Sequence, residues 1–588
     1  MATDSADPAI DLTISENIKS LIESYQRMSM PMGQYVTFIL VPALAFLLVS
    51  IVLPFFLAGQ PIFVRVPIPL LGLLAFGSAV FYPKILLGQR RRQLNNQFHL
   101  MVTHMTVLAI TKIDRMEVFR SLANEEEYGE LAKEMARIVE LVDTWNQSLD
   151  DACRRRAKEV PSETVADFFE RLAYTINAGQ SLREYLLTEQ ETMIQEYATV
   201  YESTLSNLDV MKDLYLSMVL SMTFALVFAV VLPVLTGTNP TLTVSAVIVM
   251  YIFIQSGFFL ALRTMAPYDP RWYHPSEKPS QAEPRIKVSF YIGVSLAVVL
   301  AFVTYGGLLG IVPFRISQLI PFFGTPMPLA LYAVIPITPL LIPGLVLWRQ
   351  EKLVKARDDE FPSFIRALGT TESVKQSTSS DVLRTLREKD FGPLTENIDD
   401  LYKRLNMRIE PAEAWRYFTA DCRSYLIQTF SEMYLIGREM GGDPQVLGEL
   451  IGENMSEVNR LRSQRNQATT TLIGLLHGIN AAATFAFFIG LEVVRILSEM
   501  DLGFGDGSGG GATGVASQLI NMEAYNIPLI NFMLVVVIMF SAMLSSLMIR
   551  TVDGGHKINT YVHFVAMAWI AALVSILTRT VVGAFLSV

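Results

Sequence analysis

The sequence predicts an all-α polytopic membrane protein, with about nine transmembrane helices and two duplicated cytoplasmic helical-bundle domains. Three observations carry that prediction. The 588 residues are 51% hydrophobic and only 18% charged, where a soluble domain has about 25% charged residues. The charge is also unevenly spread: residues 89–213 hold 37 charged side chains and residues 348–468 hold 38, leaving 28 for the other 342 residues. A nearly uncharged body is therefore joined to two bodies of soluble character. Finally, these two blocks repeat each other along the chain. High hydrophobicity excludes a disordered chain, and two cysteines exclude a disulfide scaffold. A net charge of −9 argues against nucleic acid as a partner.

Apolar runs long enough to cross about 30 Å of hydrocarbon fall at 35–58, 66–88, 214–235, 241–262, 288–311, 326–347, 469–494, 527–549 and 560–581. The first has an acidic lead (Asp4, Asp7, Asp11, Glu16) and no small-residue cleavage site after it, so it reads as a span rather than a signal peptide. Basic residues near span ends stay on the cytoplasmic side. Arg90–Arg92, Arg263, Arg271, Lys278, Arg285, Lys287, Arg349, Lys352, Lys355, Arg357, Arg460, Arg462, Arg465, Arg550 and Lys557 lie in one set of connections, with only Arg65, Arg315 and Arg495 in the opposite connections. The topology that satisfies this pattern puts the N-terminal segment 1–34, both blocks and the loop 263–287 on the cytoplasmic side of the cell membrane, and the C-terminus outside. Pro336, Pro339 and Pro343 predict a broken helix in the sixth span. Gly474 and Gly478 form a candidate packing face, and Glu492 is placed to pair with Arg495.

Both blocks read as amphipathic helices. Phe98, Met101, Val102, Met105 and Leu108 follow a helical rhythm, as do Phe361, Phe364, Ile365 and Leu368, and Val165, Phe168, Phe169, Leu172 and Ile176. Val118–Leu122 matches Val382–Leu386, Tyr128–Leu131 matches Phe391–Leu394, and Gly179 stands opposite Gly442. The offsets are 264, 263 and 263. Gly179 closes one helix, and Ser181 with Glu184 opens the next as a capping box. In the second block Gly441 and Gly442 end a helix, Asp443 caps its successor and Pro444 takes the first turn.

The run Ile436–Leu447, with Gly437, Glu439, Gly441 and Gly442, resembles the Gly-Glu-x-x-Gly-x-(x)-Leu turn of the type II secretion F domain. Asn177–Leu182 looks like the first-domain version without the Gly-Glu pair. The resemblance covers about 89–262 and 348–549. That family supplies the membrane platform of type II secretion systems, type IV pili, Tad pili and the archaeal swimming filament, and nine spans around two blocks are most similar to the archaeal, archaellum-type members. The resemblance implies a non-enzymatic protein whose cytoplasmic blocks dock on a hexameric secretion ATPase. It also implies pilin-like filament subunits (archaellins) and membrane lipid as further partners, with a homodimer at the base of the machine. The runner-up is an archaeal adhesion-pilus platform. A secondary transporter is a more distant alternative, weakened by the scarcity of ionisable residues within the spans.

No phosphate-binding Gly-x-x-x-x-Gly-Lys-Ser/Thr loop occurs, so an ATPase must be another chain. Gly505–Gly514 reads as a flexible linker. No metal, cofactor or catalytic constellation is legible: His477 and His563 are expected to stand singly within spans, and Cys153 and Cys422 to be idle buried thiols. Arg154, Arg155, Arg156 and Lys158 form the densest basic cluster and are the first candidate docking patch, with Arg404 and Arg408 the second. Gly179, Ser181, Glu184, Gly437, Glu439 and Gly442 are expected to have structural roles in the family turn.

Overall fold

The computed structural model describes residues 32–56, 67–111, 113–236, 238–273, 283–311, 327–375, 379–501 and 526–586. The expected linker Gly505–Gly514, the acidic lead, and Arg65, Lys278 and Arg315 lie outside the described residues. The chain forms two compact units, Met1–Met193 and Ile194–Val588.

In the first unit a π-turn at Val36–Leu40 leads into α1 (Val41–Phe56), which packs on α2 (Pro67–Asn96). The Tyr35 hydroxyl donates to the Ala79 carbonyl at 2.6 Å, and Ser50 lies against Gly72, so the pair is antiparallel. The block follows as α3 (Phe98–Ile110), α4 (Arg115–Asn124), α5 (Glu130–Asp143), α6 (Leu149–Glu159) and α7 (Glu163–Asn177). Its predicted apolar stripes are its core: Phe98, Met101, Met105, Phe168, Phe169 and Leu172 are buried. Ser148 and Ser162 cap α6 and α7 by accepting from Asp151 N and Val165 N.

Chain direction changes little where the sequence turns apolar. Helix α8 runs unbroken over Leu182–Thr236, and α17 over Pro444–Asp501. Each begins as a polar bundle helix and continues as a predicted span, so the expected boundaries at 213/214 and 468/469 fall inside continuous helices. The remaining elements of the second unit are α9 (Pro240–Met265), α10 (Glu283–Leu308), α11 (Leu329–Ile337), α12 (Leu341–Lys375), α13 (Ser379–Leu386), α14 (Thr395–Asn406), α15 (Pro411–Cys422), α16 (Tyr425–Glu439), α18 (Ile527–Asp553) and α19 (Thr560–Leu586). Between α11 and α12 the three-residue 3₁₀ turn Thr338–Leu340 is the break expected from the prolines, and Trp569 Nε1–H donates to the Thr338 hydroxyl there at 3.1 Å.

Among the described residues, eight helices are long and apolar enough to cross a bilayer, at eight of the nine predicted positions. Helix α2 occupies the ninth; Pro83, Lys84 and the polar tail to Asn96 dilute its apolar run. The protein is thus an all-α, multi-pass membrane protein. Leu226, Val230, Tyr251, Phe487, Leu534 and Ala571 form the interior of the helix bundle. Val298 and Phe302 on α10 are each 62% exposed, as apolar side chains facing lipid should be.

The two blocks follow one plan, α3–α8 being repeated as α12–α17. Gly129 (φ +52°) and Gly392 (φ +54°) both take a positive φ at an offset of 263, the first ending a 3₁₀ turn and the second starting one. Ser162 and Ser424 then cap equivalent helices at an offset of 262, so the second block is one residue shorter in between. The last of the three expected pairings shifts accordingly. Gly179 (φ +72°) corresponds to Gly441 (φ +81°), not Gly442, because Gly179 N bonds Ile176 O and Gly441 N bonds Arg438 O, while the following amides, Gln180 and Gly442, close longer rings onto Thr175 O and Gly437 O.

Helices α12 and α17 cross at Gly369 and Gly448, where a Cβ on Gly369 would lie 2.2 Å from the Pro444 carbonyl oxygen. Backbone cannot yield as a flexible side chain does. Gly369→Ala should therefore destabilise the second block by at least ~1–3 kcal/mol, read as a lowered midpoint for protease resistance of the detergent-solubilised chain. An unchanged midpoint would show that the crossing is loose.

Candidate docking surface and buried ion network

On α6 the four predicted cations separate. Arg154, Arg155 and Lys158 are exposed, and Arg155 pairs with Glu159 at 3.5 Å. Arg156 points the other way, because a spacing of one or two residues from its neighbours rotates it to the opposite face of the helix. Its Nε and Nη2 donate to Glu134 Oε2 at 3.1 and 2.5 Å, and it also pairs with Glu159. The fully buried Glu134 carboxylate takes Arg90 (3.0 Å) and Arg137 (2.5 Å) on its other oxygen. Arg156 therefore belongs to the interior, and it pins α6 onto α5 so that Arg154, Arg155 and Lys158 face outward.

The second candidate pair also separates. Helix α14 ends at Asn406, and Arg408 takes φ +60° with its amide on Leu405 O, so it leaves the helix axis. Arg404 is ion-paired to Asp421 at 2.7 Å and lies over the Tyr417 ring. Arg408 is exposed.

The family turn is held mainly by residues that sequence reasoning passed over. Arg438 donates to the Gly442 carbonyl at 3.0 Å and to Glu372 at 3.1 Å, and Tyr434 Oη donates to the other Glu372 oxygen at 2.6 Å. Asp443 accepts from Gln445 N at 2.9 Å and caps α17, with Pro444 at its first position as expected. Gly437 is buried, its carbonyl taking the Gly442 amide, and Glu439 is exposed. Ser181 stands at the start of α8, its carbonyl accepting from Tyr185 N, and Glu184 lies in the first turn.

A larger polar assembly joins the second block to the membrane helices. Arg462 grips Asp269 with two bonds (2.8 and 2.5 Å) and reaches Asp358 at 2.9 Å. Arg271 bonds Asp553 (3.2 Å), Glu351 (3.5 Å) and Asn466 (3.0 Å), while Lys355 lies 3.4 Å from Asp553. Arg465 donates to the Val552 carbonyl at 2.6 Å. The loop 266–273 is tied down further by Tyr273 N donating to Arg423 O and Tyr425 N to Arg271 O. Burial alone would raise the Asp269 carboxyl, but the charge and hydrogen bonds of Arg462, aided by Arg465 and Arg271, hold it below its ordinary value.

Cys153 and Cys422 are buried free thiols; burial pushes Cys153 up to about 12 and raises Cys422 further, so both are inert as nucleophiles. His477 and His563, expected singly, meet edge to face at 5.8 Å. Glu492 and Arg495 do pair, at 3.5 Å. Among the described residues no group of three potential metal ligands occurs.

The family profile described as type II secretion system protein F matches residues 101–231, most of the first block and of the span after it. A Methanocaldococcus jannaschii protein named flagella accessory protein J is 31% identical over 567 residues, 96% of this chain and 97% of the relative. The chain belongs to this family. A Methanococcus voltae member with the same name is also 31% identical, over 88% of the chain and 90% of its own length. No solved structure matches the chain at a significant level. The family profile falls on the block whose turn lacks the Gly-Glu pair.

Proposed function

We propose that this chain is the membrane platform on which an archaellum-type filament is assembled, coupling a cytosolic hexameric secretion ATPase to the insertion of pilin-like subunits and to rotation. Both polar blocks and the N-terminus lie in the cytoplasm in this reading, and the C-terminus lies outside. Membership of the flagella accessory protein J family supports the platform role. The observation that carries the coupling is the continuity of α17, a single helix that starts in the second block and continues into the apolar body of the same unit.

The docking surface is the outward face of α6: Arg154, Arg155 and Lys158, set in a block of 22 acidic and 15 basic residues. Arg408 is a second contact. The test is triple charge reversal, Arg154→Glu, Arg155→Glu and Lys158→Glu, in the full chain. Co-purification of the secretion ATPase should fall by about tenfold or more, since each exposed cation facing an acidic partner contributes on the order of 1 kcal/mol, and swimming filaments should disappear while the protein still reaches the membrane. Undiminished co-purification would remove α6 from the interface. Loss of an adhesion pilus with swimming filaments intact would reassign the platform.

A further inference from the structure

We propose that a cavity at the block-side membrane boundary of the second unit binds the phosphate headgroup of an anionic membrane lipid. The cavity, of about 230 Å³, lies between α12, α17, α18 and α19, and Lys352, Thr469, Arg550 and Thr560 each contribute to its wall. The predicted spans on these helices end at 347, begin at 469, end at 549 and begin at 560. Four hydropathy boundaries thus converge on one opening at headgroup depth. Trp348, 48% exposed with Lys352 Nζ 5.8 Å from its ring centre, lines it as an interfacial aromatic would.

The charge balance favours an anion. Glu351 and Asp553 also line the cavity, but Arg271 and Lys355 already neutralise them. Among the described residues no carboxylate lies within ion-pair range of Lys352 or Arg550. Arg263, exposed at the end of α9, is close enough to act on Arg550 electrostatically. Two donors of the lining, Arg550 Nε–H and the Thr560 hydroxyl, are buried without a hydrogen-bond partner, as is one acceptor, Asn559 Oδ1. Unpaired buried donors beside unbalanced cations fit phosphate oxygens, and the acceptor fits a headgroup hydroxyl such as that of a glycerol. Basic pockets between membrane helices hold lipid headgroups by this chemistry.

The inference rests on the membrane reading and not on ATPase docking, so either can fail alone. The full chain, purified in micelles containing phosphatidylglycerol and phosphatidylcholine, should retain phosphatidylglycerol selectively in native mass spectra. Lys352→Gln with Arg550→Gln should reduce retention by about tenfold or more. Lys352→Arg with Arg550→Lys should preserve it, which separates charge loss from misfolding. Millimolar inorganic phosphate should not displace the lipid. Equal retention of both lipids, unchanged retention in the double glutamine variant, or displacement by inorganic phosphate would each overturn the assignment, the last in favour of a soluble anion.

Discussion

Replacing Arg462 with alanine should destabilise the second block by about 3–5 kcal/mol, because it strips the buried Asp269 and Asp358 of the guanidinium that bonds both and leaves Asp269 only Arg465, 3.8 Å away. The Arg462 side chain is 7% exposed and the carboxylates 6% and 5%, so water cannot take over its role. Thermal unfolding followed by protease sensitivity near residue 423 would measure the loss. The pH dependence carries a sign. In the parent, Asp269 has a folded pKa below its unfolded value, so its contribution is present above the unfolded carboxylate pKa of about 3.9 and is lost as pH falls through the folded value. Without Arg462 the burial term is no longer outweighed by its charge, the Asp269 pKa rises, and the deficit should shrink as pH is lowered from about 8 towards about 5. A deficit independent of pH would mean that lost packing, not stranded charge, is the cause. Arg462→Met with Asp269→Asn and Asp358→Asn should recover part of the stability.

Glu134→Ala should be as damaging to the first block. One buried carboxylate there balances Arg90, Arg137 and Arg156, and its removal leaves the nearly buried Arg156 with Glu159 alone, at a cost of about 3–5 kcal/mol. Glu134→Gln, which keeps hydrogen-bonding capacity without the charge, should cost less. Because Arg156 orients α6, Glu134→Ala should also weaken co-purification of the ATPase although Glu134 touches no solvent. Full stability in this variant would show that α6 is held by Ala152 and Cys153 packing alone.

Helical period and apolar length were sufficient to find the bundle helices and the spans, since both are local properties of the chain. Pairing is not local, and there reading by residue type misled. Arg271, Arg462 and Arg465 flank spans in the sequence, yet they are interior residues whose acidic partners lie 80 to 282 positions away. Likewise Arg156 counted towards a surface patch because adjacent letters look alike, whereas 100° of helical rotation per residue sends it inward. One legible signal was missed: no glycine, and no proline before Pro233, interrupts Leu182–Thr236, so nothing in that stretch marks a joint between polar and apolar halves. The one-residue difference between repeats is hidden in drifted letters and appears in the Ser162 and Ser424 caps and in which amide bonds which carbonyl.

The short antiparallel bridge between Trp272 and Ser424 has a mechanical meaning. A body tethered at two points can swing about the line that joins them. A third tether off that line removes the remaining degree of freedom. The second block leaves the apolar body through α12, returns through α17, and is fastened a third time by the 266–273 strap. The block is thus held to the rest of its unit at three places, two continuous helices and one backbone strap. Tyr273→Pro, which deletes the amide that donates to the Arg423 carbonyl, should loosen the third attachment while leaving both helices whole.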